Sequence, residues 1–135
     1  MKELTIDAKI SNLHGVIGFL DAQLEAMDCP MAAQIQLDMA VEELFVNIAN
    51  YAYAPGNGAA TIRVRTSSSP RSVTVTLIDE GRPFDPTAKP DPDTTLSAQD
   101  RSIGGLGIFM AKKSVDEMSY EYVNGQNRLT LHKRF

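Results

Sequence analysis

Two pairs of β-rich runs, each joined by a short turn, constrain the fold of this chain most. The runs lie at residues 60–66 and 72–78 for the first pair, and at residues 119–123 and 128–133 for the second. Asn124-Gly125 lies in the second turn, and this dipeptide is a strong hairpin signal. Strands joined so closely pair antiparallel, because a parallel pair needs a long crossover. With a further alternating run at residues 2–8, the sequence predicts a mixed, mostly antiparallel sheet.

Apolar residues at helical spacing predict three helices. The first covers residues 10–27, with Ser11 and Asn12 as candidate caps near its start. The second begins at Pro30, which suits a first helical turn, and runs to about residue 52; the third begins near Leu106. Because hairpins build the sheet, all three helices are expected on one of its faces. The predicted fold class is therefore an α+β, two-layer sandwich.

Residues 81–105 lack apolar periodicity and are rich in proline, aspartate, glycine and threonine. A structureless stretch of this length is uncommon in a compact domain, and it is often an active-site lid or a binding loop. We therefore expect a lid at one end of the helical layer.

Length and composition limit the class of protein. The chain has 135 residues and is 43% apolar, which suits one domain over residues 1–135. A net charge of −4 argues against a nucleic-acid-binding surface. No apolar run reaches about 18 residues, so no membrane span is expected. The single cysteine, Cys29, cannot form an internal disulfide, and a cytoplasmic location is the expectation.

Glu43 and Asn47 are the first candidate site residues. They are four positions apart on the second predicted helix, so their side chains lie on one face. Their oxygens suit a magnesium ion, which takes few protein ligands and keeps water or phosphate oxygens for the rest. The same spacing also occurs on ordinary solvated helix faces, so it is weak evidence alone.

Two further segments add to this pattern. Asp79 follows a buried run, where its carboxylate could accept the exocyclic amine of adenine while Gly81 lets a flat base approach the backbone. An ordinary Asp-x-Gly turn is the alternative. Gly104, Gly105 and Gly107 open a helix, where exposed backbone N–H groups favour phosphates. A lid hinge or a plain helix cap is the alternative there, and neither the Walker nor the dinucleotide pattern is present.

The order of helix, strand and turn, lid and glycine loop resembles that of the GHKL ATPases, which have a histidine-kinase-like fold. More narrowly, the chain resembles the bacterial anti-sigma-factor serine/threonine kinases. The similarity lies in an N box at residues 41–53, two glycine boxes at 79–86 and 101–108, and a last strand at 127–131. The match covers nearly the whole chain.

The resemblance implies a role for each site residue. Glu43 would be the general base, and Asn47 would hold magnesium against the triphosphate. Asp79 would bind the adenine amine, with Gly81 beneath the ring and Thr130 supporting it through its hydroxyl or a water. The other residues implied to bind the nucleotide are Asn50, Phe84, Arg101, Gly104, Gly105, Leu106 and Gly107. Asn50 stands where the superfamily's histidine kinases often carry a lysine, which moves the prediction away from that group.

The function that the resemblance implies is an ATP- and magnesium-dependent protein serine/threonine kinase in transcription regulation. It would phosphorylate an antagonist protein, bind a sigma factor and form a homodimer. One alternative is a non-catalytic ATP-binding switch that sequesters a partner. The other is an ATPase module that works beside a separately encoded domain. The presence of Glu43 favours a domain that catalyses a reaction over a non-catalytic switch.

Overall fold

A computed structural model describes residues 1–88 and 105–135 of the chain. Its strands are β1 (Lys2–Asp7), β2 (Ala59–Ser68), β3 (Arg71–Asp79), β4 (Glu117–Val123) and β5 (Gln126–Arg134). Its helices are α1 (Leu13–Ala26), α2 (Met31–Asn47) and α3 (Gly105–Ser114), with short 3-10 turns at Ile10–Asn12 and Pro86–Ala88 and a π-helical turn at Ile48–Ala52. The predicted lid therefore lies largely outside the described residues, which include only its start at residues 81–88 and its end at Gly105.

The five strands form one sheet in the order β1-β2-β3-β5-β4. Every neighbouring pair of these strands is antiparallel, so the sheet is not mixed as predicted. The reason is that α1 and α2 run out and back over the sheet, so β2 starts where β1 ends and runs the opposite way. Helices packed on an antiparallel sheet confirm the α+β two-layer fold class.

The core lies between the helices and one face of the sheet. Apolar side chains alternate along the strands and point to this face, whereas threonine and charged side chains occupy the other face. Hydroxyl pairs such as Thr5 with Thr61 and Thr76 with Thr130 lie on that polar face. The largest fully buried side chains are Phe45, Leu20, Leu24, Leu37, Ile62, Leu77 and Leu131. Burial of α2 against the sheet fixes the helix that holds Glu43 and Asn47.

The end of α2 differs from a regular helix. The helical spacing of the sequence predicts one face with Leu37, Val41, Leu44, Ile48 and Tyr51. The first three are buried, but Tyr51 is 54% exposed. After Asn47 the chain forms the π-helical turn, whose wider winding changes the direction of the side chains that follow. The predicted helical face therefore ends before Tyr51.

Local turn and cap predictions have mixed outcomes. Asn124 and Gly125 both adopt positive φ, of 54° and 75°, which a two-residue primed hairpin turn requires. The hairpin at this position is therefore confirmed. Asn12 does not cap α1 with its side chain, because its amide donates to the Asp7 carbonyl instead, at 2.9 Å.

None of the helices in the described ranges is long and apolar enough to cross a membrane.

Two carboxyl groups meet between α1 and α2. Asp21 and Asp38 each bury one oxygen that receives no hydrogen bond from the described residues. Burial raises the pKa of Asp38 to about 7, aided by its hydrogen bond to Asp21 and by the charges of Asp21, Glu25 and Glu42. Two neighbouring carboxylates cannot both ionise freely, so we expect this pair to share a proton.

Candidate nucleotide-binding site

A cavity of about 420 Å³ opens at one end of the sheet, where β3 ends and β5 begins, beside the C-terminal end of α2. Most of its wall is apolar or aromatic. The lining residues are Leu44, Ile48, Tyr51, Ala52, Leu77, Pro83, Phe84, Pro86, Ile108, Tyr120 and Leu129, with the polar Asn47, Asp79, Arg82 and Asn127. An apolar cleft of this size with a few placed polar groups is the usual form of a small-molecule site.

Asp79 is the buried acid of this cavity, with only 6% of its surface exposed. Its Oδ1 accepts hydrogen bonds from the Gly81 backbone N–H and from Asn127 Nδ2, each at 2.9 Å. Within the described residues, its Oδ2 receives no such bond. Burial raises the pKa of the Asp79 carboxyl, and the two hydrogen bonds limit that rise. The site thus holds a carboxylate with one oxygen available to a ligand.

Asn127 connects Asp79 to the segment that follows it. Its Nδ2 also donates to the carbonyls of Arg82, at 2.9 Å, and of Gly81, at 3.3 Å. Its Oδ1 accepts from the Phe84 backbone N–H, at 3.1 Å, and from the Tyr120 hydroxyl. One buried amide therefore fixes the acid and the first residues after β3.

Glycine is required at position 81 because the backbone there lies very close to the π-helical turn. A Cβ built on Gly81 would lie 2.3 Å from the Ala52 carbonyl oxygen, a backbone atom that cannot swing away. The neighbouring Arg82 N–H donates to the same oxygen at 3.0 Å. Gly81 itself does not line the cavity, so its missing side chain serves this backbone approach in the structure.

Tyr53 supports the same region from the other side. Its hydroxyl donates to the Ala59 carbonyl, at 2.6 Å, and accepts from the Glu80 N–H, at 2.7 Å. Its ring occupies the space next to Gly58, where a Cβ would lie 2.2 Å away. The end of β3, the start of β2 and the π-helical turn are thereby held together.

Glu43 and Asn47 lie one turn apart on α2, as predicted. Asn47 lines the cavity, and the Glu43 carboxylate lies against the first turn of α3. A Cβ on Gly107 would be 2.0 Å from Glu43 Oε1, so glycine permits this close contact. Burial raises the pKa of Glu43, and the charge of Glu42 adds to the rise. The acid is thus placed where α2 meets the N-terminal end of α3.

Residues 6–133 match the family described as the histidine kinase-like ATPase domain. The chain belongs to this family. An ATPase domain takes ATP, so the cavity at Asp79 is its candidate nucleotide site. The predicted membership of the GHKL ATPases is confirmed by this match.

Two known proteins are similar to this histidine kinase-like ATPase domain. The serine/threonine-protein kinase BtrW of Bordetella bronchiseptica is 32% identical over 95 residues, which are 70% of this chain and 66% of BtrW. The crystal structure of the RsbU and RsbW domains of Rv1364c from Mycobacterium tuberculosis superposes with a TM-score of 0.66 at 19% identity. This superposition covers 99% of this chain and 32% of the solved chain. The chain therefore spans just under two thirds of BtrW and about one third of the solved chain, whose likeness shows the fold.

The structure brings some of the other predicted residues to the cavity and not others. Phe84 lies on its wall, with 44% of its surface exposed. Asn50 is exposed on the π-helical turn and does not line the cavity. Gly105 begins α3, and Leu106 lies in its first turn. Arg101 and Gly104 lie outside the described residues.

Among the predicted site residues in the described ranges, Thr130 lies on the opposite side of the sheet from the cavity. Asn127, Leu129 and Leu131 alternate toward the helical layer, so Thr130 points to the opposite face. There its hydroxyl lies 3.3 Å from that of Thr76. The predicted support of Asp79 by Thr130 is therefore corrected, and Asn127, which sequence reasoning missed, holds that position.

Proposed function

We propose that this domain is an ATP- and magnesium-dependent protein serine/threonine kinase that acts as an anti-sigma factor. The observation that supports this most is the joint placement of Asp79 in an apolar cavity and of Glu43 at the first turn of α3. The similarity to BtrW, a serine/threonine-protein kinase, supports the same class of reaction.

Adenine fits the cavity at Asp79. The walls are apolar and aromatic, as a flat base requires, and Asp79 Oδ2 is an acceptor for the exocyclic amine. Gly81 fixes the backbone behind this acid through its contact with Ala52. The base would thus be recognised by one carboxylate oxygen within an otherwise apolar pocket.

The triphosphate would lie between Asn47 and the first turn of α3. Backbone N–H groups at a helix N-terminus favour phosphate oxygens, and Gly105 and Gly107 both lie in this first turn. The Asn47 amide oxygen suits magnesium, which binds through few protein ligands. When bound, this ion would neutralise charge on the phosphates.

Glu43 would be the general base for the hydroxyl of a substrate serine or threonine. A carboxylate whose pKa is raised by burial takes up a proton more readily than an exposed one. Its position at the junction of α2 and α3 places it beside the proposed phosphate site. In such a kinase, most of the catalysis comes from positioning and charge neutralisation.

The proposed partners follow from the resemblance to anti-sigma-factor kinases. They are an antagonist protein that receives the phosphate and a sigma factor that is bound, with the domain working as a homodimer in the cytoplasm. A non-catalytic ATP-binding switch has the same cavity and differs only in the absence of transfer.

Phosphate transfer to a candidate antagonist tests the proposal. ATP labelled on its terminal phosphate is incubated with the domain and the antagonist, and labelled serine or threonine is expected in the antagonist. Asp79→Asn should weaken ATP binding about tenfold or more, because a hydrogen bond to a charged group is lost. Glu80→Gln, next in the chain but exposed, is the matched control and should bind as the parent does.

Two results would contradict the proposal in different ways. Unchanged ATP binding by Asp79→Asn in calorimetry would show that adenine does not bind at Asp79 in this cavity. ATP binding by the parent without transfer to any candidate antagonist would leave the non-catalytic switch as the function.

A further inference from the structure

We infer that Asn127 is a positioning residue that makes this pocket select 6-aminopurines over 6-oxopurines. It does so by leaving Asp79 Oδ2 to face the base and by keeping that oxygen a hydrogen-bond acceptor. This inference rests on the proposed function, which places adenine at Asp79. It assigns to the start of β5 the choice between ATP and inosine or guanosine triphosphates.

The first step is the pairing of Asn127 with Asp79. The two residues are direct partners across β3 and β5, and both are buried. Asn127 Nδ2 and the Gly81 N–H both donate to the same oxygen, Asp79 Oδ1. Oδ1 is thereby occupied, and Oδ2 is left as the oxygen that a ligand can reach.

The second step is that the Asn127 side-chain amide cannot flip by 180°. Its Oδ1 accepts from the Phe84 N–H and the Tyr120 hydroxyl, and its Nδ2 donates to the carbonyls of Gly81 and Arg82. A backbone N–H can only donate and a carbonyl can only accept, so a flipped amide would lose the contacts with all three backbone groups. The surrounding backbone therefore forces Asn127 to present N–H, and not C=O, to Asp79.

The third step concerns the base. An N–H donated to Asp79 stabilises its ionised form, which can accept hydrogen bonds but cannot donate them. Oδ2 can then accept a hydrogen bond from the amine of a 6-aminopurine. With a 6-oxopurine, the base presents a carbonyl there, so two acceptors would face each other without a proton between them. A site built around one buried hydrogen bond rejects the analogue that cannot make it.

Asn127→Asp separates this role from a general structural one. The substitution keeps the size of the side chain and the acceptor for Phe84 and Tyr120, but it replaces the donor to Asp79 with an oxygen. Two carboxyls at this separation must share a proton, so Asp79 is no longer a fixed acceptor. The affinity for Mg-ATP should fall about tenfold or more, while that for Mg-inosine triphosphate should fall less or rise.

The readout is the ratio of the two affinities, measured by calorimetry on the whole chain. Thr130→Val is the matched control, because Thr130 lies three residues along the same strand on the opposite face. Its ratio should equal that of the parent. Asn127→Ala removes the same donor to Asp79 without adding a charge, and it should also lower the ratio.

The outcomes distinguish this inference from the proposed function. If Asp79→Asn lowers the ratio but Asn127→Asp weakens both nucleotides equally, Asn127 only maintains the fold and the inference is wrong. If the parent does not prefer ATP, or if Asp79→Asn leaves the ratio unchanged, the adenine site itself is wrong. Should Asn127→Asp fail to fold by circular dichroism, Asn127→Ala decides: a lowered ratio supports the inference and an unchanged ratio overturns it.

Discussion

Replacing Asp38 with asparagine should stabilise the domain at neutral and alkaline pH. Asp38 on α2 and Asp21 on α1 share a buried contact in which each carboxyl has one oxygen without a donor among the described residues. The amide that Asp38→Asn introduces would supply that donor to Asp21, and the substitution would remove one of the two negative charges. It thus mimics the protonated acid at every pH.

The magnitude follows from the pKa of Asp38, which burial and the Asp21 contact raise from 3.8 to about 7. The folded state therefore binds this proton more tightly than the unfolded state does. The stability that it contributes is fully present below the unfolded pKa, falls as the pH rises, and is lost above about pH 7. A tenfold change in proton affinity is worth about 1.4 kcal/mol, but solvent screens this half-buried pair, so we expect about 1–2 kcal/mol.

Urea denaturation at about pH 5 and about pH 8 measures this effect. The free energy of unfolding of Asp38→Asn should exceed that of the parent clearly at the higher pH and much less at the lower one. Asp7→Asn removes an exposed acid from β1 and serves as the control, with no comparable gain. An equal gain at both pH values, or none at the higher one, would refute the shared-proton account.

Two glycine substitutions give further expected outcomes. Gly81→Ala should cost about 1–3 kcal/mol of stability in thermal or chemical unfolding, because its Cβ would meet the Ala52 backbone at 2.3 Å. Gly18→Ala, where a Cβ meets nothing within 4 Å on α1, should instead stabilise by about 0.5–1 kcal/mol; a similar loss at both sites would contradict the close-approach argument. Gly107→Ala should displace the flexible Glu43 side chain and slow phosphate transfer while changing stability little, and unchanged transfer would contradict the contact.

Local patterns were enough to predict the elements and the fold class. The hairpin at Asn124-Gly125 and the buried face of α2 depend on neighbours in sequence, so they can be recognised without tertiary contacts. The order of strands could not be predicted in the same way. A hairpin signal pairs β4 with β5, but nothing local says which of the two lies next to β3.

Asn127 was missed for the same reason. Its role depends on the register in which Asp79 faces Asn127, and that register is set by packing between two separate hairpins. The position of Thr130 can be predicted from the sequence, because the alternation of Leu129 and Leu131 already places it on the polar face. The π-helical turn that contains Tyr51 had no comparable signal in the helical spacing.

Asn47→Asp provides the contrast for the central test. It adds a negative charge at the wall of the cavity where the phosphates are proposed to lie. Both Mg-ATP binding and phosphate transfer should therefore weaken together. An effect on transfer alone would argue against a role for Asn47 in holding magnesium against the triphosphate.

The most direct test of the account is the separation of binding from transfer at Glu43. Glu43→Gln keeps the shape and one oxygen of the side chain but cannot take a proton from the attacking hydroxyl. Mg-ATP affinity should stay near that of the parent, while single-turnover transfer to the antagonist should fall about a hundredfold or more. The exposed neighbour Glu42→Gln should change neither quantity greatly. Transfer by Glu43→Gln at the parent rate would contradict the proposed kinase mechanism.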